Sequence, residues 1–506
     1  MNYRPSFKIP NARFDPWALA LLHLAIAVSA MMRGMTMKSL KIGGKWEDLW
    51  QVIPIGDLSW SNVWRLHAQP PGFSLCAWLW MKLAPTGCYQ EVIQLSHIGL
   101  AMITIALIYS LARAMTGSRR AALVAGLIVA LNPAMFYFEA YLLYEMIVVT
   151  LVTASAWLLE RSLRLRQARW LVGMIVVLDL LVLTRSLYHI VFLVAALALA
   201  WPAWKRLGAV RSLALFLAAL MLPFGWYAKN YAQYGFFGSS SWFGMGLVRC
   251  VVKGYTSQEL VKLADSGEIS QITAQRWPYD HLPGDYVQFG FAKTSDIPLL
   301  NHENLHNINI PDISRQYAAD SFKLIRTHPD RYLISLSKAY KEICRPVSRF
   351  RHLIVHQVDY ICWEMIYSQI FYGQMITDAF VTFRGESADI GSLYFFYFPI
   401  LMIWATAWTA MRAVRNRRRA SAGLPVEPAD AAAPWVMGYI ILLTLYVTAV
   451  GTLFEFGENE RFRFGIEQLD YLMVIILIRS AWLRMRASAA RPPRAGQASG
   501  RRSPAQ

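Results

Sequence analysis

The 506-residue sequence has few charged residues and no cysteine pattern of the kind that stabilises small or metal-binding domains. Charged residues make up 16% of the chain, against roughly 25% in an ordinary soluble domain. Hydrophobic residues make up 56%, which excludes intrinsic disorder. No heptad seam or internal repeat indicates a coiled coil or a repeat array. The five cysteines contain no C-x-x-C, so neither a zinc knuckle nor a disulfide framework is indicated.

Acidic residues are also scarce, since the chain has 50 Lys and Arg against 32 Asp and Glu, a formal net charge of +18. Such a charge could indicate nucleic-acid binding, but that function needs basic residues displayed together on a soluble face. Long apolar runs separate the basic residues of this chain, so we expect no nucleic-acid partner. The positive charge instead indicates membrane topology, because Lys and Arg concentrate in cytoplasmic loops.

Long apolar runs are abundant, and a helix needs roughly 20 apolar residues to cross the hydrocarbon core. The pattern predicts an all-α polytopic membrane protein with about 10–11 transmembrane helices. Ten runs are plausible spans, and Gly72–Leu83 is a shorter candidate. The ten are Trp17–Met32, Val92–Met115, Ala121–Tyr141, Met146–Leu159, Trp170–Thr184, Leu187–Trp201, Ser212–Trp226, Tyr394–Met411, Pro434–Phe454 and Ile466–Trp482.

Five basic clusters predict which helix ends face the cytoplasm, and they agree with one another. They are Arg113/Arg119/Arg120, Arg161/Arg164/Arg166/Arg169, Lys205/Arg206/Arg211, Arg412/Arg415/Arg417/Arg418/Arg419 and the tail from Arg484 to Arg502. We therefore expect a multi-pass protein of the cytoplasmic (inner) membrane with an extracytoplasmic active site. If the first span exits and Gly72–Leu83 re-enters, however, the first cluster would lie outside. Either that segment dips without crossing or one predicted span is wrong.

The predicted organisation has four parts. Residues 1–228 form an N-terminal transmembrane module, in which 33–71 are an interfacial first outer loop. Residues 229–393 hold half of the chain's acidic residues and form a mainly helical extracytoplasmic insert. Residues 394–483 form the C-terminal transmembrane helices, and 484–506 form a disordered basic cytoplasmic tail.

The first outer loop carries the first group of candidate functional residues. It is rich in tryptophan, which prefers the headgroup level of a membrane, and it contains Glu47, Asp48, Asp57 and His67. Two adjacent acids could simply begin an interfacial helix that faces water. They could equally meet the polar head of a lipid-linked substrate. His67 could likewise do no more than end a helix ahead of Pro70.

Further polar residues are predicted on the same side of the membrane. They are Glu139, Tyr141 and Glu145 in one turn, Arg185 after a span, and Arg461 and Arg463 at the start of the last span. Alternating Arg and Phe at 461–464 could anchor a helix in the interface. It could also hold a prenyl phosphate, because guanidinium groups bind phosphate oxygens through two parallel hydrogen bonds.

These motifs, in this order, resemble the GT-C class of integral-membrane glycosyltransferases. The resemblance is to the bacterial relatives of dolichyl-phosphate-mannose protein mannosyltransferases and the lipid A aminoarabinose transferase, and it covers nearly the whole chain. The motifs are Trp46-Glu47-Asp48-Leu49, His67-Ala68-Gln69-Pro70-Pro71-Gly72-Phe73, Glu145, Leu183-Thr184-Arg185, Trp226-Tyr227-Ala228-Lys229-Asn230, and Glu458-Asn459-Glu460-Arg461-Phe462-Arg463-Phe464.

The resemblance implies an inverting glycosyltransferase that moves a sugar from a polyprenyl-phosphate-linked donor to an acceptor on the outer face of the membrane. The acceptor hydroxyl must lose a proton, so one carboxylate must be positioned to accept it. We choose Asp48, with Glu47 as the alternate and Asp57 next. The leaving phosphate needs charge stabilisation.

The resemblance also suggests binding roles for the other candidates. The donor phosphate would be bound by Arg461, Arg463, Arg185 and His67, and substrate by Glu139, Tyr141, Glu145 and Asp57. The expected partners are the polyprenyl-phosphate sugar, the bilayer and a lipid, glycan or protein acceptor. No cofactor is certain. A divalent metal is left open, because some relatives use one and the sequence shows no clustered ligand set.

A transporter or flippase of a lipid-linked intermediate is the alternative. Such a protein would be expected to show an inverted repeat with broken helices in matching halves. The sequence shows no such duplication, and a large insert on one side suits an acceptor-binding enzyme better. A non-catalytic scaffold would explain the spans but not the polar residues gathered on the outer side.

Overall fold

The computed structural model describes residues 14–37, 60–281, 283–292, 309–350, 353, 360–373 and 392–489. Helices make up 80% of these residues, and no strand occurs among them. The predicted all-α fold is therefore confirmed. The candidates Glu47, Asp48 and Asp57, and residues 490–506 of the predicted tail, lie outside the described residues.

The described ranges contain twenty α-helices. In chain order they are α1 Asp15–Met32, α2 Trp60–Arg65, α3 Gly72–Leu83, α4 Tyr89–Thr116, α5 Arg119–Ala130, α6 Pro133–Glu139, α7 Glu145–Leu165, α8 Ala168–Thr184, α9 Ile190–Leu199, α10 Trp201–Trp204, α11 Ala209–Tyr234, α12 Phe243–Val251, α13 Ser257–Asp265, α14 Gln271–Gln275, α15 Ile310–Thr327, α16 Pro329–Ile343, α17 Ile361–Tyr372, α18 Tyr394–Ser421, α19 Pro428–Phe454 and α20 Asn459–Ala489.

Six helices, α1, α4, α7, α11, α18 and α19, are long and apolar enough to cross a membrane. A seventh crossing would be the pair α5 and α6, which is bent by 47°. The chain is thus a multi-pass membrane protein. Every predicted apolar run overlaps a helix, and Ala121–Tyr141 overlaps two, α5 and α6. Helices α3, α8 and α9 are short, and α20 begins with a charged turn. These four account for the difference from the predicted count.

Helices α1 and α4 are antiparallel, because contacts join their opposite ends. Tyr109, near the end of α4, donates to Asp15 at the start of α1 at 2.7 Å. Gln94, near the start of α4, bonds to the backbone of Met35 and Met37 just after α1, at 2.8 and 2.9 Å. Since α1 ends where α4 begins, the 12-residue α3 between them dips into the bundle without crossing it.

The break between α5 and α6 is stabilised by polar contacts inside the bundle. Asn132 caps α6 by accepting a hydrogen bond from the backbone amide of Ala134 at 3.0 Å, and Pro133 begins the new helix. The two ring nitrogens of His23 lie 2.8 Å from the Ala130 carbonyl and 2.5 Å from the Glu139 carboxylate. Polar groups at a helix break in a membrane must be satisfied within the protein.

The chain that precedes α3 is held against α11 and the loop that follows α11. Successive carbonyls accept hydrogen bonds, Arg65 from Tyr234, Leu66 from Lys229, His67 from Ser241 and Ala68 from Ser240. The Lys229 ammonium is buried 3.8 Å from the centre of the Trp226 ring. This network fixes the start of α3 at the end of the bundle where the insert begins.

Helices α12, α15 and α16 of the insert pack on each other and on the bundle. A Cβ on Gly244 of α12 would lie 1.8 Å from the Ser314 carbonyl of α15, so no other residue fits there. Tyr332 of α16 donates to the Leu453 carbonyl at the end of α19 at 2.7 Å. The insert therefore rests on the bundle beside the C-terminal end of α19.

The contact between α3 and α8 gives a first testable prediction. A Cβ on Gly72 would lie 2.7 Å from the Leu183 carbonyl and 2.8 Å from the Thr184 hydroxyl. Gly72→Ala should therefore push α3 away from α8 and lower stability by about 1–3 kcal/mol. Gly99→Ala is the matched control, because nothing lies within 4 Å of that Cβ. Thermal unfolding in detergent micelles measures both; equal melting temperatures would contradict the close contact.

Candidate active site

A cavity of 430 Å³ lies at the end of the bundle where α8 and α19 end and α20 begins. Its volume falls in the range of about 300–1,000 Å³ that is usual for small-molecule sites. One side is lined by bundle residues that include Tyr144, Arg185 and Arg461, and the other by insert residues that include Arg249 and Tyr279. The cavity is therefore the place where the two parts of the chain meet.

Glu145, the first residue of α7, is buried behind the bundle side of this cavity. Its Oε1 lies 3.3 Å from Arg461 Nε and 3.8 Å from Arg185 Nη1. A buried carboxylate costs several kcal/mol unless it is paired. The two contacts therefore hold the end of α8 and the start of α20 against the start of α7.

Arg185 is a buried cation on the bundle side of the cavity. Its side chain is 2% exposed and lies between the rings of Tyr144 and Phe462, whose centres are 5.1 and 4.5 Å from Cζ. Neither Nη1 nor Nη2 makes a hydrogen bond to any residue in the described ranges. Buried donors without partners are unfavourable, and an oxyanion in the cavity would satisfy them with charge-assisted hydrogen bonds.

Arg461 lines the same cavity but is held from two sides. Its Nη2 lies 2.7 Å from Glu458 Oε2 and donates to the Tyr144 hydroxyl at 3.3 Å, while Nε faces Glu145. These contacts fix the guanidinium where it faces the cavity. Arg461 and Arg185 are thus brought together by one shared carboxylate, Glu145, as a two-cation wall.

Arg463 does not line the cavity. Its Nη2 donates to the Arg345 carbonyl at 2.5 Å and to the Tyr372 hydroxyl at 2.9 Å, beside Glu467 at 4.0 Å. Residues two apart on a helix do not face each other, and here only Arg461 of the two lines the cavity. Arg463 instead belongs to a separate buried polar cluster that joins α20 to α17.

Three other candidates do not line the cavity. His67 is fully buried, with Nδ1 2.9 Å from the Ser241 hydroxyl, and only its neighbour Gln69 reaches the cavity. The Glu139 carboxylate contacts the ring of His23 within the bundle, with Oε1 2.5 Å from Nε2. Tyr141 is buried within electrostatic range of Arg461.

The sequence analysis did not identify Arg249 and Glu455, which form an ion pair on the insert side of the cavity, where Glu455 comes from the loop between α19 and α20. Arg249 is 6% exposed, and its Nη1 lies 3.1 Å from Glu455 Oε1. The rings of Trp277 and Tyr279 lie 5.9 and 5.4 Å from its Cζ. One signal was available, since a single arginine in the apolar stretch Leu247–Val251 is expected to be buried with a partner.

Two glycines make room for this pair. Gly457 has φ +99°, and a Cβ there would lie 2.7 Å from Arg249 Nη2. A Cβ on Gly246 would lie 3.0 Å from Glu455 Oε2. Burial raises the pKa of Glu455 from its usual 4.5 to about 7, although Arg249 acts to lower it.

The acidic residues at this site do not cluster as metal ligands do. Within the described ranges, no group of three or more His, Cys, Asp or Glu side chains is placed to bind a metal ion. The nearest carboxylates, Glu145, Glu455 and Glu458, each face an arginine. As the structure places them, these three carboxylates do not form a site for a divalent ion.

Comparison with known proteins gives one family match. The sequence model of the family described as dolichyl-phosphate-mannose-protein mannosyltransferase matches residues 68–227. This range contains Gln69, Tyr144, Glu145 and Arg185, and so most of the bundle side of the cavity. Over these residues the match confirms the resemblance to the GT-C class. No curated protein matches the chain.

Three solved structures are similar to the chain. ArnT from Cupriavidus metallidurans in the apo state is 14% identical, with a TM-score of 0.33 over 87% of this chain and 78% of that one. ArnT bound to undecaprenyl phosphate is 13% identical, with a TM-score of 0.32 over 94% and 81%. The third is the archaeal oligosaccharyltransferase AglB from Archaeoglobus fulgidus in complex with an inhibitory peptide and a dolichol-phosphate. It is 10% identical, with a TM-score of 0.36 over 94% of this chain and 51% of that one. Identities of 10–14% with TM-scores of 0.32–0.36 show only a distant similarity.

The raised pKa of Glu455 gives a testable pH dependence. Between pH 4.5 and about 7 the folded protein retains a proton that the unfolded chain has released. The contribution of Glu455 to the free energy of unfolding should therefore fall as pH rises through this window, by up to about 3 kcal/mol. Melting temperatures from pH 5 to 8 should show wild type losing stability relative to Glu455→Gln.

The control for loss of an exposed acid is Glu427→Gln, at the other end of the bundle. A constant difference between wild type and Glu455→Gln at every pH would show that Glu455 does not retain its proton in the folded protein.

Proposed function

We propose that the protein is an inverting glycosyltransferase that moves a sugar from a polyprenyl-phosphate donor to an acceptor at the extracytoplasmic face of the cytoplasmic membrane. The observation that carries this proposal is the guanidinium of Arg185, which is buried, borders the cavity and has both terminal nitrogens without a hydrogen bond among the described residues. The family match over residues 68–227 supports the same class of enzyme.

The direction of the helices supports the extracytoplasmic location. The cavity lies at the start of α7 and α20, whereas the basic clusters at Arg113, Arg161 and Arg412 lie near the ends of α4, α7 and α18. The cavity and these clusters are therefore at opposite ends of the bundle. Basic clusters favour the cytoplasmic side.

The donor phosphate is proposed to bind between Arg185 and Arg461. As the bond between the sugar and the phosphate breaks, negative charge grows on the departing phosphate oxygen, and fixed cations in a dry site stabilise that charge. Glu145 holds both guanidinium groups in position. The proposal leaves His67 and Arg463 out of the donor site, because neither lines the cavity.

The first isoprene units of the carrier are proposed to lie along the apolar part of the cavity wall. Val450 and Phe454 near the end of α19, and Phe462 on α20, line the cavity beside the arginines. Both helices continue into the membrane, so a lipid can approach from the bilayer while its phosphate reaches Arg185. This arrangement suits an amphipathic donor better than a soluble sugar nucleotide.

The catalytic base is proposed to be Asp48, in the first outer loop. The acceptor hydroxyl attacks the anomeric carbon from the face opposite the phosphate, and its proton passes to the carboxylate. The bond from carbon to phosphate oxygen breaks, and polyprenyl phosphate leaves as the anion. Two carboxylates that line the cavity, Glu455 and Glu458, already face arginines, which favours a base from elsewhere.

Binding of undecaprenyl phosphate tests the donor site. Loss of hydrogen bonds to a charged group costs about 1.5–3 kcal/mol, so Arg185→Gln should weaken binding by about 10- to 100-fold. Arg463→Gln should instead lower the melting temperature and leave affinity within about twofold. Thermophoresis in nanodiscs gives both affinities. Equal affinities for wild type and Arg185→Gln would show that Arg185 does not bind the donor phosphate.

Sugar transfer tests the assignment of the base. Asp48→Asn should abolish transfer while undecaprenyl phosphate still binds, because an amide cannot accept the proton of the attacking hydroxyl. Glu47→Gln and Asp57→Asn are the matched variants and should retain most of the activity. Full activity of Asp48→Asn in membranes supplied with labelled donor would show that another residue is the base.

A further inference from the structure

The two sides of the cavity differ in chemistry. The bundle side presents Arg185, whose terminal nitrogens have no hydrogen bond among the described residues. The insert side presents Arg249 and Glu455 as a close pair of opposite charge. The first arrangement suits an anion, and the second suits a neutral group that both donates and accepts hydrogen bonds.

Hydroxyl groups are such neutral groups, since each has one donor and two acceptor lone pairs. The Arg249 guanidinium offers N–H donors, and its Nε has no hydrogen-bond partner within the described ranges. The Glu455 carboxylate beside it offers acceptors at a fixed separation, with Oε1 3.1 Å from Nη1. Adjacent hydroxyls of one molecule can therefore bind to both members of the pair.

Aromatic rings flank the same pair. Trp242 and Tyr279 pack edge to face with centres 5.2 Å apart, and Trp277 lies beside them with 36% of its side chain exposed. The indole nitrogen of Trp242 is buried without a hydrogen bond in the described part of the chain. All three residues line the cavity, so they give its insert side apolar faces together with an unused N–H donor.

The backbone at Tyr279 is strained. Its φ is +72°, in the left-handed region that bulky side chains rarely adopt. Such conformations persist where the surrounding structure requires them, and they cluster at ligand sites. The strain places the Tyr279 ring beside Arg249 and the cavity, where it can contact a ligand.

We infer that the insert side of the cavity binds the acceptor as a carbohydrate ring, with Arg249 and Glu455 hydrogen-bonded to its hydroxyls and Trp277 against its C–H face. A sugar ring has this combination of an apolar face and a rim of hydroxyls. The new bond is thus a glycosidic bond between two sugars. This assignment rests on the proposed transferase function and specifies its acceptor.

Other acceptors fit this surface less well. A phosphorylated headgroup would gain less here than at Arg185, because Arg249 already faces Glu455, whereas the terminal nitrogens of Arg185 have no hydrogen bond among the described residues. One recurring way to bind an extended peptide is along the edge of a sheet, and the described residues contain no strand. A neutral polyol meets neither obstacle.

Linkage analysis of envelope glycans tests the acceptor. The native host without its own copy of this chain is complemented with full-length wild type, Arg249→Gln, Glu455→Gln, Trp277→Ala or the exposed control Arg326→Gln. Wild type and the control should restore one sugar-to-sugar linkage that the deletion lacks. The other three variants should reduce it by about tenfold or more. Purified, these three should still bind undecaprenyl phosphate within about twofold of wild type.

Two results would overturn the acceptor assignment alone. One is that wild type restores a sugar on serine, threonine or a lipid phosphate instead of on another sugar. The other is that the three variants restore the linkage fully or lose undecaprenyl phosphate binding as well. Trp277→Ala is included because Trp277 is partly exposed, so its replacement is unlike the loss of a buried charge and should leave the fold intact. If the deletion removes no sugar from any fraction, the proposed transferase function itself fails.

Discussion

The burial of one carboxylate between two arginines is the constraint on which the site depends. Glu145 has almost no exposed surface, and Arg185 and Arg461 approach it from the end of α8 and the start of α20. Removing one partner from a buried ion pair leaves a charge that costs about 3–5 kcal/mol. Three helix ends distant in sequence are therefore fixed together, and the cavity forms where they meet. At 3.8 Å, Glu145 is too far from Nη1 of Arg185 for a hydrogen bond, so both terminal nitrogens of Arg185 are without one among the described residues.

The division of charge between the two cavity walls connects this structure with a transfer reaction. When a sugar is transferred from a phosphate-linked donor, the phosphate leaves as an anion, whereas a hydroxylated acceptor enters as a neutral molecule. A wall with unsatisfied guanidinium donors suits the first, and a balanced pair such as Arg249 and Glu455 suits the second. Both walls are held in place by neighbouring contacts, so little reorganisation is needed when substrate binds. Preorganisation of this kind is the usual source of electrostatic catalysis.

Much of the fold could be predicted from the sequence, because hydrophobic length alone identifies membrane helices. Glu145, Arg185 and Arg461 could be named individually, since each lies at the predicted outer end of a span. Their meeting could not be predicted, because it depends on how distant helices pack. Which of Arg461 and Arg463 faces the cavity depends on the rotation of α20 about its axis. The alternating Arg and Phe residues at 461–464 do not reveal that rotation. Arg249 lies in the insert, where no motif was recognised, and only its apolar surroundings marked it as buried.

The most direct test of this account is a cryo-EM structure of the full chain in a lipid nanodisc with undecaprenyl phosphate. The account predicts phosphate oxygens within about 3 Å of Arg185 Nη1 or Nη2, with the prenyl chain running past Phe462 toward the bilayer. Phosphate density elsewhere, for example beside Arg415 and Arg418 at the opposite end of the bundle, with Arg185 still lacking a partner, would contradict it.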